Sequence, residues 1–323
     1  MVPPFQGGCT RGLSIRTSLI VGKNVRRLIL SWAVVAILLA VDLTWARLAG
    51  LHFTGWWSVV WTVGFLAGIG FFYQSTGRNA RLADVGNYAA LWVGFSAAGA
   101  IFTYVVATLR MPLWDAQLTA LDAAMGFDWT GAVHFIVAHP YLRMPLAIVY
   151  ETMLPQIIGS ILFFAHTCRS DRNREFLWIG MVSLLITTAV SGVIPALGPC
   201  LPGHPADFTR VLVAIREGTQ TNFALDNMKG IITMPSYHTV IALVLMYVHR
   251  PPARSFPAAA MLNLLMLLSV PWSGHHFLSD MLAGAVVTVV SVYVVRRMAR
   301  EADEVIESGA AADHPAVPIS YKV

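Results

Sequence analysis

The chain has 323 residues, 56% of them hydrophobic and 12% charged, with a mean hydropathy of +0.64. A soluble domain carries about 25% charged and about 45–50% apolar residues, so a soluble globular protein is excluded, and long apolar runs without alternation exclude a closed membrane barrel. The net charge of +5 resides in short loops between apolar blocks, where membrane topology accounts for it and nucleic acid does not.

In chain order, the basic stretch from Arg11 to Arg27 runs straight into a full-length span with no cleavable signal sequence, so residues 1–27 read as a basic cytoplasmic N-terminus. A bilayer core about 30 Å thick takes roughly 20 apolar helical residues rising about 1.5 Å each. Runs of that kind predict spans at Leu28–Ala49, Trp56–Tyr73, Gly86–Leu109, Leu142–Ala165, Glu175–Leu197, Pro235–His249, Phe256–Val270 and Phe277–Val295. The sixth and seventh are short, which tilt or packing inside a bundle accommodates. Trp56, Trp57, Tyr73, Tyr141, Trp178 and Trp272 fall at span ends, where amphipathic rings anchor. The predicted fold class is all-α, a polytopic transmembrane helical bundle. Residues 28–110 hold N-terminal spans and residues 111–298 the rest of the membrane domain. Residues 299–323, acidic and then small and Pro-containing, read as a disordered cytoplasmic tail.

With the N-terminus inside, only Arg47, Arg110, Arg143, Arg210, Arg216 and Lys229 of the 22 Lys and Arg fall in outer segments. That asymmetry puts both termini inside. The outer segment Pro112–Tyr141 holds Asp115, Asp122 and Asp128 between apolar residues and predicts short helices along the membrane surface. Asp115 and Asp122, seven apart, are expected to cap and orient such a helix. The outer loop Gly198–Met234 is rich in Gly, Pro and charge, and loops of that length in compact domains are more often functional than idle. Cys9, Cys168 and Cys200 are too few and too scattered for a disulfide frame or a metal cluster.

Two segments carry chemistry, and the charge asymmetry alone puts both at the outer face. Met234-Pro235-Ser236-Tyr237-His238-Thr239 opens the sixth span. Pro235 suits a first helical turn, and Ser236 and His238 follow where free N–H groups and the helix dipole favour an anion. Ser273-Gly274-His275-His276-Phe277-Leu278-Ser279-Asp280 opens the eighth span. His276 and Asp280 are four apart and share a helix face. The carboxylate can accept one imidazole N–H, fix the tautomer and leave the other nitrogen as a nucleophile. His238 is then placed to protonate a leaving group, and Arg210, Arg216 and Lys229 are cations available to phosphate oxygens. Other uses of the trio are a structural hydrogen-bonded cluster, a two-His, one-carboxylate metal set, or haem ligation, which suits histidines at an outer boundary poorly.

The segments PSYHT and GHHFLSDMLAG resemble the second and third signature motifs of the type-2 phosphatidic acid phosphatase superfamily. Pro112-Leu113-Trp114-Asp115, Leu121 to Trp129 and Ile194 to Pro199 resemble the branch that contains fungal inositol phosphorylceramide synthase. The resemblance runs roughly from Pro112 to Arg297. It implies a six-span core, with about two further spans before it. It also implies a phosphohistidine formed on His276, orientation by Asp280 and general acid catalysis by His238, with no metal or cofactor. The substrate is implied to be a lipid phosphate or phosphodiester, and the acceptor water or the hydroxyl of a lipid or polyol. Two positions depart from the superfamily: Val270 stands where an Arg is expected six residues before the nucleophile, and no KxxxxxxRP segment precedes PSYH. Arg216, Lys229 and, more weakly, Arg210 are the cations left for phosphate.

His275 is expected to point about 100° away from His276 on a helix, as an interfacial or supporting group. Glu151, with Tyr150 and Gln156 near it in the fourth span, is either a functional carboxylate or a helix-packing one. The rival to an enzyme is a lipid-headgroup binder or transporter, which would show broken mid-membrane helices and a repeated half; the sequence displays neither.

Overall fold

The computed structural model describes residues 15–200, 206–251, 253–273 and 275–313, with side chains described between 26 and 301 in these ranges. His204 and the C-terminal residues 314–323 lie outside them. The described chain is all-α apart from one short strand pair. Its helices are α1 Ile15–Ala49, α2 Trp56–Thr76, α3 Ala80–Ala107, α4 Asp115–Ala124, α5 Trp129–Ala138, α6 Pro140–Glu151, α7 Met153–His166, α8 Ser170–Val193, α9 Asp207–Glu217, α10 Tyr237–Val248, α11 Phe256–Ser273 and α12 Leu278–Asp313. Six helices are long and apolar enough to cross a membrane: α1 from Arg26, α2, α3, α8, α11 and α12 as far as Glu301. The chain is thus a multi-pass membrane protein, as its composition requires.

Two of the eight expected spans are shorter. The stretch expected as Leu142–Ala165 is divided at Thr152 into α6 and α7. Pro155 has no N–H for the Glu151 carbonyl, and its ring crowds the preceding turn, so the chain breaks there and Thr152 N turns to Val149 O at 3.1 Å. α10 has only 12 residues, about 18 Å at about 1.5 Å per residue, because the chain enters the bundle without helical structure through residues 228–236. The outer segment forms the short helices α4 and α5. α5 and α6 together are apolar enough for one span broken by a 111° bend or for a re-entrant loop, the kind of broken helix expected of a binder or transporter. α12 continues to Asp313, into the tail expected to be disordered. Ala and Glu, strong helix formers, dominate that stretch and continue the helix beyond the apolar span.

The helices alternate between two ends. At one end the start of α8 meets the end of α10: Arg172 Nη1 donates to Val248 O at 3.5 Å, and Arg250 and Tyr247 both bond Glu175 at 2.9 Å. Tyr88 of α3 donates to Ser170 O there at 3.3 Å. At the opposite end, Trp45 of α1 donates to Thr108 after α3, and Trp114 N reaches Pro195 O after α8. The strand pair lies at this second end, His52–Thr54 running parallel to Asn222–Ala224, with Phe53, Phe223 and Tyr104 in edge and tilted contact. It supplies backbone partners for loops that an all-helical reading leaves unpaired.

Most of the core is one apolar cluster around Trp92, Phe95, Phe164, Phe176, Ile241 and Leu245, joining α3, α7, α8 and α10. α2 joins this bundle through α3 by a close crossing of Gly70 and Gly86. A Cβ at Gly86 would stand 2.7 Å from Gly70 Cα and Leu66 O, and those backbone atoms cannot yield cheaply. Gly86→Ala is therefore expected to destabilise the protein by about 1–3 kcal/mol, the cost of overpacking. Gly64→Ala, where a Cβ meets nothing within 4 Å, is expected to leave stability equal or slightly raised. Paired melting curves in one detergent test the contrast.

Candidate active site

The site lies where α10 and α12 begin. Ser236 is the N-cap of α10 and accepts Thr239 N at 3.4 Å, satisfying one donor of the first turn. Pro235, expected inside that turn, precedes the cap. Ser236 N donates to Asp280 O at 3.0 Å, tying the two helix starts together. Their closeness explains Gly284, since a Cβ there would meet Ser236 O at 2.6 Å and Thr239 Cβ at 3.1 Å.

His276 and Asp280 do not share a helix, because α12 starts only at Leu278. They meet nonetheless: His276 Nδ1 is 3.4 Å from Asp280 Oδ2, and the same oxygen accepts Phe277 N at 3.0 Å. At 3.4 Å the imidazole contact is long for a charge-assisted bond, of the kind that tightens when substrate binds. His276 is 3% exposed and Asp280 and Ser236 are fully buried. Burial pushes the His276 imidazole from 6.5 down to about 4, against a hydrogen bond to the Thr233 backbone. His238, in the first turn of α10, is half-buried, with its ring centre 6.5 Å from that of His276.

The structure thus brings together His276, Asp280, His238 and Ser236. His275, adjacent in sequence, takes a positive φ of 53° and turns away. Its Nδ1–H donates to Pro199 O at 3.2 Å, and its ring stands 6.1 Å from Trp129 and 6.4 Å from Phe208. Burial lowers its pKa, while the Pro199 bond raises it. The remaining candidates have other neighbours. Arg216, on the last turn of α9, donates to Met111 O at 2.8 Å. Arg210 pairs with Asp207 at 3.7 Å on the same helix. Lys229 is exposed in the irregular run before α10, and Glu151 is exposed at the end of α6.

Two acids of the surface helix prove to be organisers. Asp122, only 3% exposed, accepts Leu278 N at 2.7 Å and Ser279 N at 2.9 Å and so caps α12 from another element. Asp115 accepts Leu197 N and Gly198 N at 3.0 Å. They orient other segments, whereas their own helix α4 starts from Trp114 without a side-chain cap. A cavity of about 640 Å³ beside the site is lined by both, with Trp129, Gly198 and Phe277. Tyr150, noted only as a neighbour of Glu151, lies against His238: its hydroxyl is 3.0 Å from Nδ1 and the rings stack with centres 4.0 Å apart. Among the described residues no three His, Cys, Asp or Glu side chains converge as a metal site requires.

A family model described as the PAP2 superfamily matches residues 116–294. No curated protein and no solved structure matches the chain. The matched stretch contains both helix starts, Asp122 and Tyr150.

Because Asp122 supplies two charge-assisted bonds, Asp122→Ala is expected to cost about 1–2 kcal/mol of stability, the scale of a lost cap. Displacement of His276 is expected to cost on the order of 10²-fold in turnover. Asp122→Asn, which keeps one acceptor oxygen, is expected to fall between wild type and Ala in both melting and activity assays.

Proposed function

We propose, for a chain that belongs to the PAP2 superfamily, a membrane enzyme that moves the phosphoryl group of a lipid phosphate or phosphodiester through a phosphohistidine on His276. Membership carries the coarser part, phosphatase or phosphotransferase action on phosphate esters by a multi-pass membrane protein. The finer part rests on one observation: two imidazoles with ring centres 6.5 Å apart, of which one faces a buried carboxylate. Reacting atoms stand about 3–3.5 Å apart in a near-attack arrangement, so both rings can reach a single phosphoryl group.

Asp280 accepts Nδ1–H of His276, which leaves Nε2 with its electron pair for phosphorus. His238, whose pKa burial and the neighbouring His276 lower to about 3, takes up its proton against that burial and gives it to the departing oxygen, so that no bare alkoxide leaves. The N–H groups at the start of α12 are taken by Asp122 and Asp280, whereas Tyr237 N and His238 N have no partner among the described residues. The first turn of α10 is the helix start that remains for phosphate oxygens. No metal takes part in this scheme, and Arg216, Lys229 and Arg210 are left to headgroup or surface roles. The near-complete burial of His276 supports an alcohol acceptor over water, since a transferase must shield its intermediate. The likeness of Pro112 to Asp115, Leu121 to Trp129 and Ile194 to Pro199 to the inositol phosphorylceramide synthase branch supports the same choice. Arginines gather at the end opposite the site, among them Arg172, Arg174, Arg250 and Arg296, which supports a site at the non-cytoplasmic face.

Phosphate release from a panel of lipid phosphates, with and without inositol or a long-chain diol, tests the reading. His276→Ala is expected to lower kcat by at least about 10³-fold and His238→Ala by about 10²–10⁴-fold. Activity equal to wild type in His276→Ala would overturn the phosphohistidine on His276, and silence of wild type across the panel would leave only lipid-headgroup binding. Product that appears only with the diol or inositol establishes transfer, and free phosphate without them establishes hydrolysis. Since His276 stays neutral until about pH 4, Nε2 remains unprotonated above that value. On a phosphodiester substrate, whose phosphate does not titrate in this range, the acid limb of kcat/KM that reports His276 is therefore expected near pH 4.

A further inference from the structure

The two histidines are held by different partners. His276 presents Nδ1 to a carboxylate at 3.4 Å, whereas His238 presents Nδ1 to the phenol of Tyr150 at 3.0 Å, with the rings stacked at 4.0 Å and 20°. A carboxylate accepts a hydrogen and also stabilises positive charge on the ring, as a nucleophile needs when it bonds to phosphorus. A phenol offers a neutral oxygen. It can take Nδ1–H and hold the ring in place without stabilising an imidazolium as an anion does, so the proton on Nε2 is released more readily.

From this contrast the geometry points to Tyr150 as the positioning residue that makes His238 the proton carrier of the pair. The inference rests on the phosphohistidine reading and assigns a further residue to it. In the first step His276 Nε2 bonds to phosphorus and the P–O bond to the leaving group breaks. The electron pair of that bond stays on oxygen, which takes the Nε2 proton of His238. In the second step the acceptor oxygen bonds to phosphorus, the N–P electron pair returns to His276, and the acceptor's proton goes to His238 Nε2. Through both steps Nδ1–H of His238 remains on the Tyr150 oxygen, so only Nε2 changes protonation.

The break between α6 and α7 contributes to this placement. Tyr150 lies in the last turn of α6, two residues before Thr152, where the helix ends. The turn that Pro155 interrupts brings the phenol to the first turn of α10.

Tyr150→Phe keeps the stacked ring and removes only the hydroxyl. Two substrates separate proton delivery from the rest of catalysis. An alkyl phosphate ester needs its leaving oxygen protonated, and a nitrophenyl phosphate ester does so far less. The alkyl-to-nitrophenyl ratio of kcat is expected to fall about tenfold or more in Tyr150→Phe, with KM for the alkyl ester within about twofold, and to fall further in His238→Ala. The ratio does not depend on how much of the variant is folded. An unaltered ratio, whether both activities fall together or neither does, would overturn the assignment and leave Tyr150 a packing residue. Nitrophenyl turnover by His276→Ala at the wild-type rate would instead overturn the phosphohistidine reading, whatever the ratio for Tyr150→Phe.

Discussion

Three consecutive backbone N–H groups at the start of α12 end on carboxylates, Phe277 on Asp280 and Leu278 and Ser279 on Asp122. A helix start ordinarily attracts an anion through its free donors and its dipole. Here the protein supplies its own acceptor oxygens. The position of His276 follows, because it is the residue immediately before these donors. The position of α10 follows as well, through Ser236 N on Asp280 O and the narrow contact at Gly284. Asp115 extends the same arrangement to the loop after α8 by holding Leu197 N and Gly198 N. Several segments far apart in sequence are thus registered by carboxylate-to-amide bonds at one end of an otherwise apolar bundle.

The apolar interior makes these polar bonds consequential. Burying a polar group costs free energy unless it is hydrogen-bonded, and Asp280, His276 and Ser236 all lie almost out of reach of solvent. Asp280 Oδ2 serves two donors, while Oδ1 is buried with no partner among the described residues. An acceptor left over in this way is a local cost that the surrounding packing, from Val240 to Leu245 on α10 and across α8, has to offset.

Much of this was legible in the sequence, and the limits have physical causes. The apolar runs gave the class and most of the spans, since membrane thickness dictates length. The spacing of His276 and Asp280 foretold a contact, although on a helix that in fact starts two residues after His276, because a trans cap cannot be read from local pattern. The same holds for Asp122, whose partners lie 156 and 157 residues away, and for Tyr150, 88 residues from His238. Pro155 is visible in the fourth expected span, yet hydropathy averages over it, and only the loss of one N–H reveals the break at Thr152. His275 escaped a helical reading because its positive φ turns it toward Pro199.

The capping of α12 by the surface helix α4 also constrains how a substrate gains access. A cover that swings open must release whatever it is bound to, and α4 is bound to the two amides that begin α12. Lifting it would strip Leu278 and Ser279 of their acceptor and expose the Asp122 carboxylate at the same moment. In mechanical terms α4 is a fixed wall whose displacement dismantles the machinery it encloses. For the proposed lipid phosphate the path left lies beside it, along the lateral surfaces of the bundle, the plane in which an acyl chain already travels.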